Sequence, residues 1–279
     1  MPDTPHRPRR RFGQNFLVNT GAIDTIVRIF RPRPDDLVLE IGPGRGALTR
    51  RLAGRVARLV AVEIDPELAA PLRTDLAREI ASGALEILTA DVLMLDLPAT
   101  FHAMGAEPAR RVRVIANLPY NIAAAVILRL LALPERVADL LLMVQREVAA
   151  RILAPPGGKT YGALSVLCRT RARVESVLRL RPGSFRPVPK VDSEVLRFTP
   201  VEGALPAADA ALLEEVLRAA FGQRRKTLLN NLARLSGLDA EGAGRLIRAA
   251  GLEPGMRAEQ VPVAGFLALA RARRTIIRP

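Results

Sequence analysis

A chain of 279 residues, 49% of them hydrophobic, can build a sizeable core, and that core is aliphatic because aromatics are only 4% and Trp is absent. One cysteine, Cys168, excludes an internal disulfide and a cysteine-rich metal site; it stands in the apolar run ALSVLC and reads as a small buried side chain. The formal charge of +14 is uneven: residues 35–110 hold eight Arg against twelve Asp and Glu, a segment at −4 within a remainder at +18, which suits a polyanion held on basic surfaces around an acidic pocket.

Residues 1–11, MPDTPHRPRRR, read as a flexible basic arm. No apolar h-region follows them and no stretch approaches the ~18 apolar residues of a membrane span, so a cytoplasmic chain without membrane contact is expected. A helix is expected near 20–30. The turn RPRPDD then leads into four short β-rich runs, LVLEI, RLVAVEI, ALEILTA and RVRVIAN, with helical segments such as GALTRRLAG and PELAAPLRTDLAREI between them. Strand and helix alternating at this pitch predict an α/β domain with a doubly wound, mostly parallel sheet and right-handed crossovers. Further strands are expected at ADLLLMVQ, RVESVLRL and SEVLRF. Past FTPVEGALPAAD, apolar positions recur at i, i+3 and i+4 through ALLEEVLRAAF, RKTLLNNLARL, AGRLIRAAG and VAGFLALARA, which predicts a small C-terminal all-α domain starting at about residue 200.

The first strand runs into a glycine-rich turn, LVLEIGPGRGALT, and open α/β sheets bind ligands at the carboxyl ends of their strands. Gly42, Gly44 and Gly46 permit close approach of a ligand, and Glu63 ends the next strand where ribose hydroxyls could be bridged. The same residues satisfy the dinucleotide fingerprint, so the glycines alone leave an NAD-linked oxidoreductase open. Three features favour S-adenosylmethionine. Pro43 removes a backbone donor that a pyrophosphate would want. Glu40, Glu63, Asp65 and Asp91 form an acidic rim that repels a diphosphate but suits a sulfonium, an ammonium group and a ribose. The only histidines, His6 and His102, stand in the basic arm and in a loop-like stretch, away from any hydride acceptor.

The stretch VIANLPYNI sets polar groups at the end of a core strand. An amino group on an aromatic base is a poor nucleophile, and its two N–H bonds must be held so that the lone pair faces the incoming carbon. The side-chain oxygen of Asn117 and a nearby backbone carbonyl, fixed by Pro119, can accept those bonds. Tyr120 offers a flat face for an extruded base. Such a clamp for an exocyclic amine needs neither metal nor strong base.

These motifs resemble, in order along nearly the whole chain, the ribosomal RNA adenine N6-dimethyltransferase family, and most closely its small-subunit branch: RFGQNFL at 11–17, LEIGPGRGALT, VEID, AD at 90–91, NLPYNI, QREVA, FRPVPKVDS and FGQRRKTLLNNL. The resemblance implies a Rossmann-like class I methyltransferase fold with a helical appendage. It divides the chain into a basic arm and cofactor-closing segment at 1–19, a methyltransferase domain at 20–200 and an RNA-contacting helical domain at 201–279. Carried over by position, Asn15 and Leu17 close over S-adenosylmethionine, Gly42 lies under its methionine part, Glu63 takes its ribose hydroxyls and Asp91 its adenine amine, and Gly44, Ile64 and Val92 also bind the cofactor. Asn117 borders cofactor and target, Leu118 and Pro119 shape the amine site, Tyr120 stacks on the target base, and Phe185 stands on the pocket's other side.

The loop SFRPVPKVDS is stiffened by Pro187 and Pro189, and its Arg186 and Lys190 can meet phosphates. Arg224, Arg225 and Lys226 cluster at the start of a helix and can grip RNA backbone. The family implies methylation of two neighbouring adenines in a 16S rRNA hairpin during ribosome biogenesis, an immature 30S subunit as partner, a monomer, and no metal. After NLPYNI the chain has AAAV where hydroxyl residues are frequent in the family. A non-catalytic RNA-binding factor and a DNA N6-adenine methyltransferase are the nearer alternatives.

Overall fold

The computed structural model describes residues 14–119, 121–201, 205 and 207–277. The expected basic arm at 1–11 and Tyr120 lie outside the described residues. The chain forms two compact units, one holding the residues up to Ala149 with Val174–Pro200, the other Ala150–Arg173 with Val201–Pro279. The division expected at about residue 200 is therefore incomplete. The segment Ala150–Arg173 packs with the later helices, because the helix Ala163–Arg171 buries Leu164, Val166, Leu167 and Cys168, and the Tyr161 hydroxyl donates to the Val261 carbonyl at 3.0 Å.

The first unit is built on nine strands: β1 Phe16–Leu17, β2 Leu37–Ile41, β3 Arg58–Glu63, β4 Leu85–Thr89, β5 Val112–Asn117, β6 Val137–Gln145, β7 Ala172–Leu180, β8 Phe185–Arg186 and β9 Ser193–Pro200. Seven of them form one sheet in the order β4-β3-β2-β5-β6-β9-β7, while β1 and β8 pair separately. The pairs from β4 through β6 are parallel, and β9 runs antiparallel to β6. Central parallel strands are covered on both faces, so they read as continuous apolar runs. In β2 every residue of LVLEI is buried, including Glu40.

Strand order turns back between β2 and β5. From β2 the chain builds outward through β3 to β4; it then returns to the other side of β2 with β5 and builds outward through β6. The carboxyl ends of β2 and β5 thus diverge into a crevice, the place where ligands bind in such sheets.

Local sequence sets the helices. Thr20–Phe30 starts on Asn19, whose side chain accepts the Ala22 N–H at 2.9 Å, and buries Ile23, Ile26, Val27 and Phe30 at helical spacing. Pro66–Asp75 starts on Asp65, with Pro66 in its first turn. Two expected helices are shorter than their apolar pattern suggests. In GALTRRLAG only Thr49–Leu52 is helical, since Gly44 and Gly46 hold the preceding residues in a turn at positive φ. In RKTLLNNLARL only Leu228–Leu232 is helical, capped by Thr227, because the N–H groups of Leu228 and Leu229 donate instead to Met256 and Pro254 carbonyls.

Under the amino ends of the strands, Arg113 ties three elements together. Its guanidinium meets Asp36 at 2.7 Å and Asp139 at 2.7 and 3.0 Å, donates to the carbonyls of Phe30 and Arg31, and lies 4.2 Å from the Phe30 ring centroid. Its side chain is 13% exposed, so removing it leaves two nearly buried carboxylates unpaired. Arg113→Ala is expected to lower the unfolding free energy by about 3–5 kcal/mol in urea titration; a change below about 1 kcal/mol would show that Asp36 and Asp139 find other partners.

Candidate active site

The crevice between β2 and β5 is a cleft lined by the glycine turn (Gly42, Gly44), the ends of β3 and β4 (Glu63, Ile64, Asp91, Val92), and the β5 end (Asn117, Leu118, Pro119). Gly42 and Asn117 are neighbours through the topology. A Cβ placed on Gly42 would stand 3.6 Å from the Asn117 carbonyl oxygen. Gly44 has φ +56°, and a Cβ there would come within 2.9 Å of the Phe16 ring, so the turn admits no side chain at that position.

Glu63 is buried, and its two oxygens accept the N–H groups of Gly44 at 2.9 Å and Asp65 at 3.0 Å. One carboxylate thereby fixes both the glycine turn and the entry to the helix Pro66–Asp75. Burial raises the Glu63 pKa, against the pull of those N–H groups. Asp91 shapes the next loop by accepting the Leu93 N–H at 2.8 Å, while Arg129 holds that loop from behind through the carbonyls of Val92 at 2.6 Å and Leu95 at 2.8 Å. Ile64 is an apolar side chain left 41% exposed in the cleft, where a flat ring could cover it.

Asn117 donates from Nδ2 to the Asn15 carbonyl at 3.0 Å, which turns Oδ1 to the other side; among the described residues no group donates to that oxygen. The Leu118 N–H is taken by Met143 and the Ile122 N–H reaches back to the Pro119 carbonyl at 3.2 Å, so the backbone around Pro119 is fixed. Asn117 Oδ1 is an acceptor of fixed direction at the cleft, able to take one N–H of an amino group.

The sequence-derived residues divide when placed on the fold. Asn15, Gly42, Gly44, Glu63, Ile64, Asp91, Val92, Asn117, Leu118 and Pro119 line one cleft. Leu17 does not; it is buried and borders an adjoining smaller cavity with Phe16, Glu40 and Asn117. Phe185, expected beside the pocket, is paired with Leu17 across the β1–β8 ladder and is 1% exposed in the hydrophobic core. Arg186, which ends β8, and Lys190, on the loop that follows, are exposed. Arg225 and Lys226 are exposed, whereas Arg224 bonds to the Lys159 carbonyl and meets Glu259 at 3.3 Å, so part of the expected basic cluster is neutralised. The three precede the short helix Leu228–Leu232 rather than beginning it.

Phe16 and Gln14 were missed. Phe16 lines both cavities and carries the Arg45 guanidinium 4.9 Å from its centroid; Gln14 donates to Asp65 at 3.1 Å. Their motif, RFGQNFL, named the segment but gave no register, which comes only from the pairing of Phe16 with Arg186.

The acidic lining bears on which ligand fits. Glu40 is 2% exposed and borders the smaller cavity, its Oε2 has no hydrogen-bond partner, and burial pushes its carboxyl up to about 7, with Glu63 adding to the rise and Thr49 opposing it. An unsatisfied buried acceptor beside a turn with no room for side chains fits a ligand bringing positive charge and close backbone contact. S-Adenosylmethionine has both properties; a pyrophosphate has the wrong charge.

The ribosomal RNA adenine dimethylase family profile matches residues 5–272. The chain is 43% identical to the ribosomal RNA small subunit methyltransferase A of Pseudomonas syringae pv. tomato, over 95% of this chain and 94% of that protein, and 43% identical to the protein of the same name from Leptothrix cholodnii, over 96% and 92%. Among solved structures it resembles the 23S rRNA methyltransferase ErmE, with 27% identity, a TM-score of 0.64, and coverage of 92% of this chain and 99% of that one. The fold is also that of a dimethyladenosine transferase from Plasmodium falciparum, at 24% identity and a TM-score of 0.74, over 91% of this chain and 95% of that one.

The raised Glu40 pKa gives a pH dependence of known sign. The folded chain keeps a proton that the unfolded chain releases, so this contribution to stability is complete below about pH 4.5 and is lost as pH rises through about 7. Wild type is expected to lose roughly 2–3 kcal/mol from this group between pH 5 and pH 8. Glu40→Gln should flatten that fall in urea midpoints measured at both pH values; an identical pH profile would place the titration elsewhere.

Proposed function

The chain belongs to the ribosomal RNA adenine dimethylase family, and from that premise we propose that its cleft receives S-adenosylmethionine and an extruded adenine of small-subunit rRNA side by side. The enzyme is an S-adenosylmethionine-dependent rRNA adenine dimethyltransferase, acting twice on each target base. The observation that carries this reading is the adjacency of the glycine turn and Asn117 within one cleft. Bound there, the cofactor supplies an electrophilic methyl group on a cationic sulfur.

In this reading Gly42 and Gly44 lie under the methionine part, Glu63 meets the ribose hydroxyls, and Ile64 and Val92 flank the cofactor's adenine while Asp91 accepts from its amine. Asn15 acts through its carbonyl, which orients Asn117. The closing role that resemblance gives to Leu17 passes to Phe16, whose ring borders the cleft. Asn117 Oδ1 and a nearby backbone carbonyl in the segment fixed by Pro119 accept the two N–H bonds of the target amine, turning its lone pair toward the cofactor, with Leu118 and Pro119 shaping the amine site. The proton leaves to solvent after the sulfur has lost its charge, and no side chain is assigned as general base. Tyr120 keeps its role as stacking platform on the sequence argument alone. Arg186, Lys190, Arg225 and Lys226 take RNA phosphates, and the substrate is the immature 30S subunit, met by a monomer whose helical C-terminal region contributes to RNA contact.

Methyl transfer from labelled cofactor to undermodified small subunits, followed by nucleoside analysis, is expected to yield N6,N6-dimethyladenosine. Tight NADH binding by calorimetry, without binding of S-adenosylhomocysteine, would overturn the reading. Asn117→Ala is expected to reduce turnover at least 100-fold, with S-adenosylhomocysteine affinity kept within about tenfold; unchanged turnover would remove the amine clamp.

A further inference from the structure

The amino-end side of the same sheet carries a different chemistry. Beneath β2, β5 and β6 lies a groove lined by Arg31, Arg33, Arg110, Arg111, Arg113 and Arg197. A neighbouring groove is lined by Arg28, Arg31, Arg51 and Arg55. Arg31 borders both. Together their walls hold nine arginines against three aspartates, Asp24, Asp35 and Asp36.

Two of those acids are already used, and the third, Asp35, lends Arg110 only its backbone carbonyl. Asp36 is paired with Arg113, which also takes Asp139, and Asp24 with Arg51 at 2.8 Å. Arg110 and Arg55 donate only to the backbone carbonyls of Asp35 and Arg51, which leaves their charge uncompensated. The side chains of Arg28, Arg31, Arg33 and Arg111 have no partner among the described residues. Arg197 bonds to the Ile29 carbonyl, yet its Nε is a buried donor without an acceptor. Arg31 also caps the helix Thr20–Phe30 at φ +54°, a left-handed conformation that favours glycine or asparagine, so an arginine stands there against local preference.

We propose that this arginine surface is a second RNA contact, binding the phosphodiester backbone of structured RNA at a place separate from the cleft. Guanidinium forks match phosphate oxygens in pairs, and a track of them is a polyanion site rather than a site for one ion. The aromatic ring in the groove, Phe30, is 0% exposed, so there is no open face on which a base could stack. Contact is therefore with the backbone and insensitive to sequence. The surface lies outside the cleft, and its test does not depend on methyl transfer.

The test combines Arg31→Glu, Arg33→Glu and Arg111→Glu and measures binding to a protein-free small-subunit rRNA transcript and to undermodified small subunits across a KCl series. Affinity for both is expected to fall at least tenfold near 0.1 M salt. The slope of log K against log[salt] should drop by about 2 to 3, one phosphate per lost arginine. S-Adenosylhomocysteine affinity, read by calorimetry, should be unchanged. If the reversed variant does not fold, the corresponding Arg→Gln triple decides, with a smaller loss of affinity and the same loss of slope. Unaltered affinity and slope in a folded variant would overturn the proposal. Weakened binding to particles with full binding to the bare transcript would also overturn it, assigning the surface to a ribosomal protein.

Discussion

The catalytic unit depends on one constraint of chain topology: β2 and β5 are parallel neighbours whose connections leave in opposite directions. Everything placed after β2 falls on one wall of the resulting crevice and everything after β5 on the other. Residues 42 and 117, far apart in the chain, are thereby brought so close by backbone geometry alone that a single added Cβ on Gly42 would touch the Asn117 carbonyl. No side-chain interaction has to create that adjacency. Side chains only refine it, as Asn117 does by bonding to the Asn15 carbonyl and Glu63 by holding the Gly44 N–H.

Charge follows the same division into opposite ends of the sheet. At the carboxyl end buried acids predominate, and Glu40 and Glu63 both have raised pKa values because little water reaches them. At the amino end arginines predominate, and the one most enclosed, Arg113, is matched by two carboxylates. The two ends of one sheet thus present opposite charge.

The parallel strands were legible because they are buried on both faces and so read as unbroken apolar runs between turn signals. The glycine turn and NLP could be assigned to strand ends for the same reason. Other features depend on distant pairing and leave no local trace. The β1–β8 ladder has only two residues on each strand, too few for periodicity to appear, and it decides that Phe16 borders the cleft while Phe185 enters the core. The segment Ala150–Arg173 precedes the last strands in sequence yet packs with later helices, which a linear boundary cannot represent. Apolar spacing overstated the helix at RKTLLNNLARL, because tertiary hydrogen bonds take the N–H groups of Leu228 and Leu229.

The β1–β8 ladder has a further consequence. Its strand β1 carries Phe16 at the cleft and Leu17 in the core, and the Val18 and Asn19 N–H groups that follow donate to the Ser184 carbonyl. Leu17 and Phe185, paired across it, belong to the same core cluster as Ile115, Leu141 and Met143 of the seven-stranded sheet. The wall of the cleft at Phe16 is thereby one peptide bond away from the core that stabilises the whole unit, so repacking at Leu17 or Phe185 would be felt at the cleft.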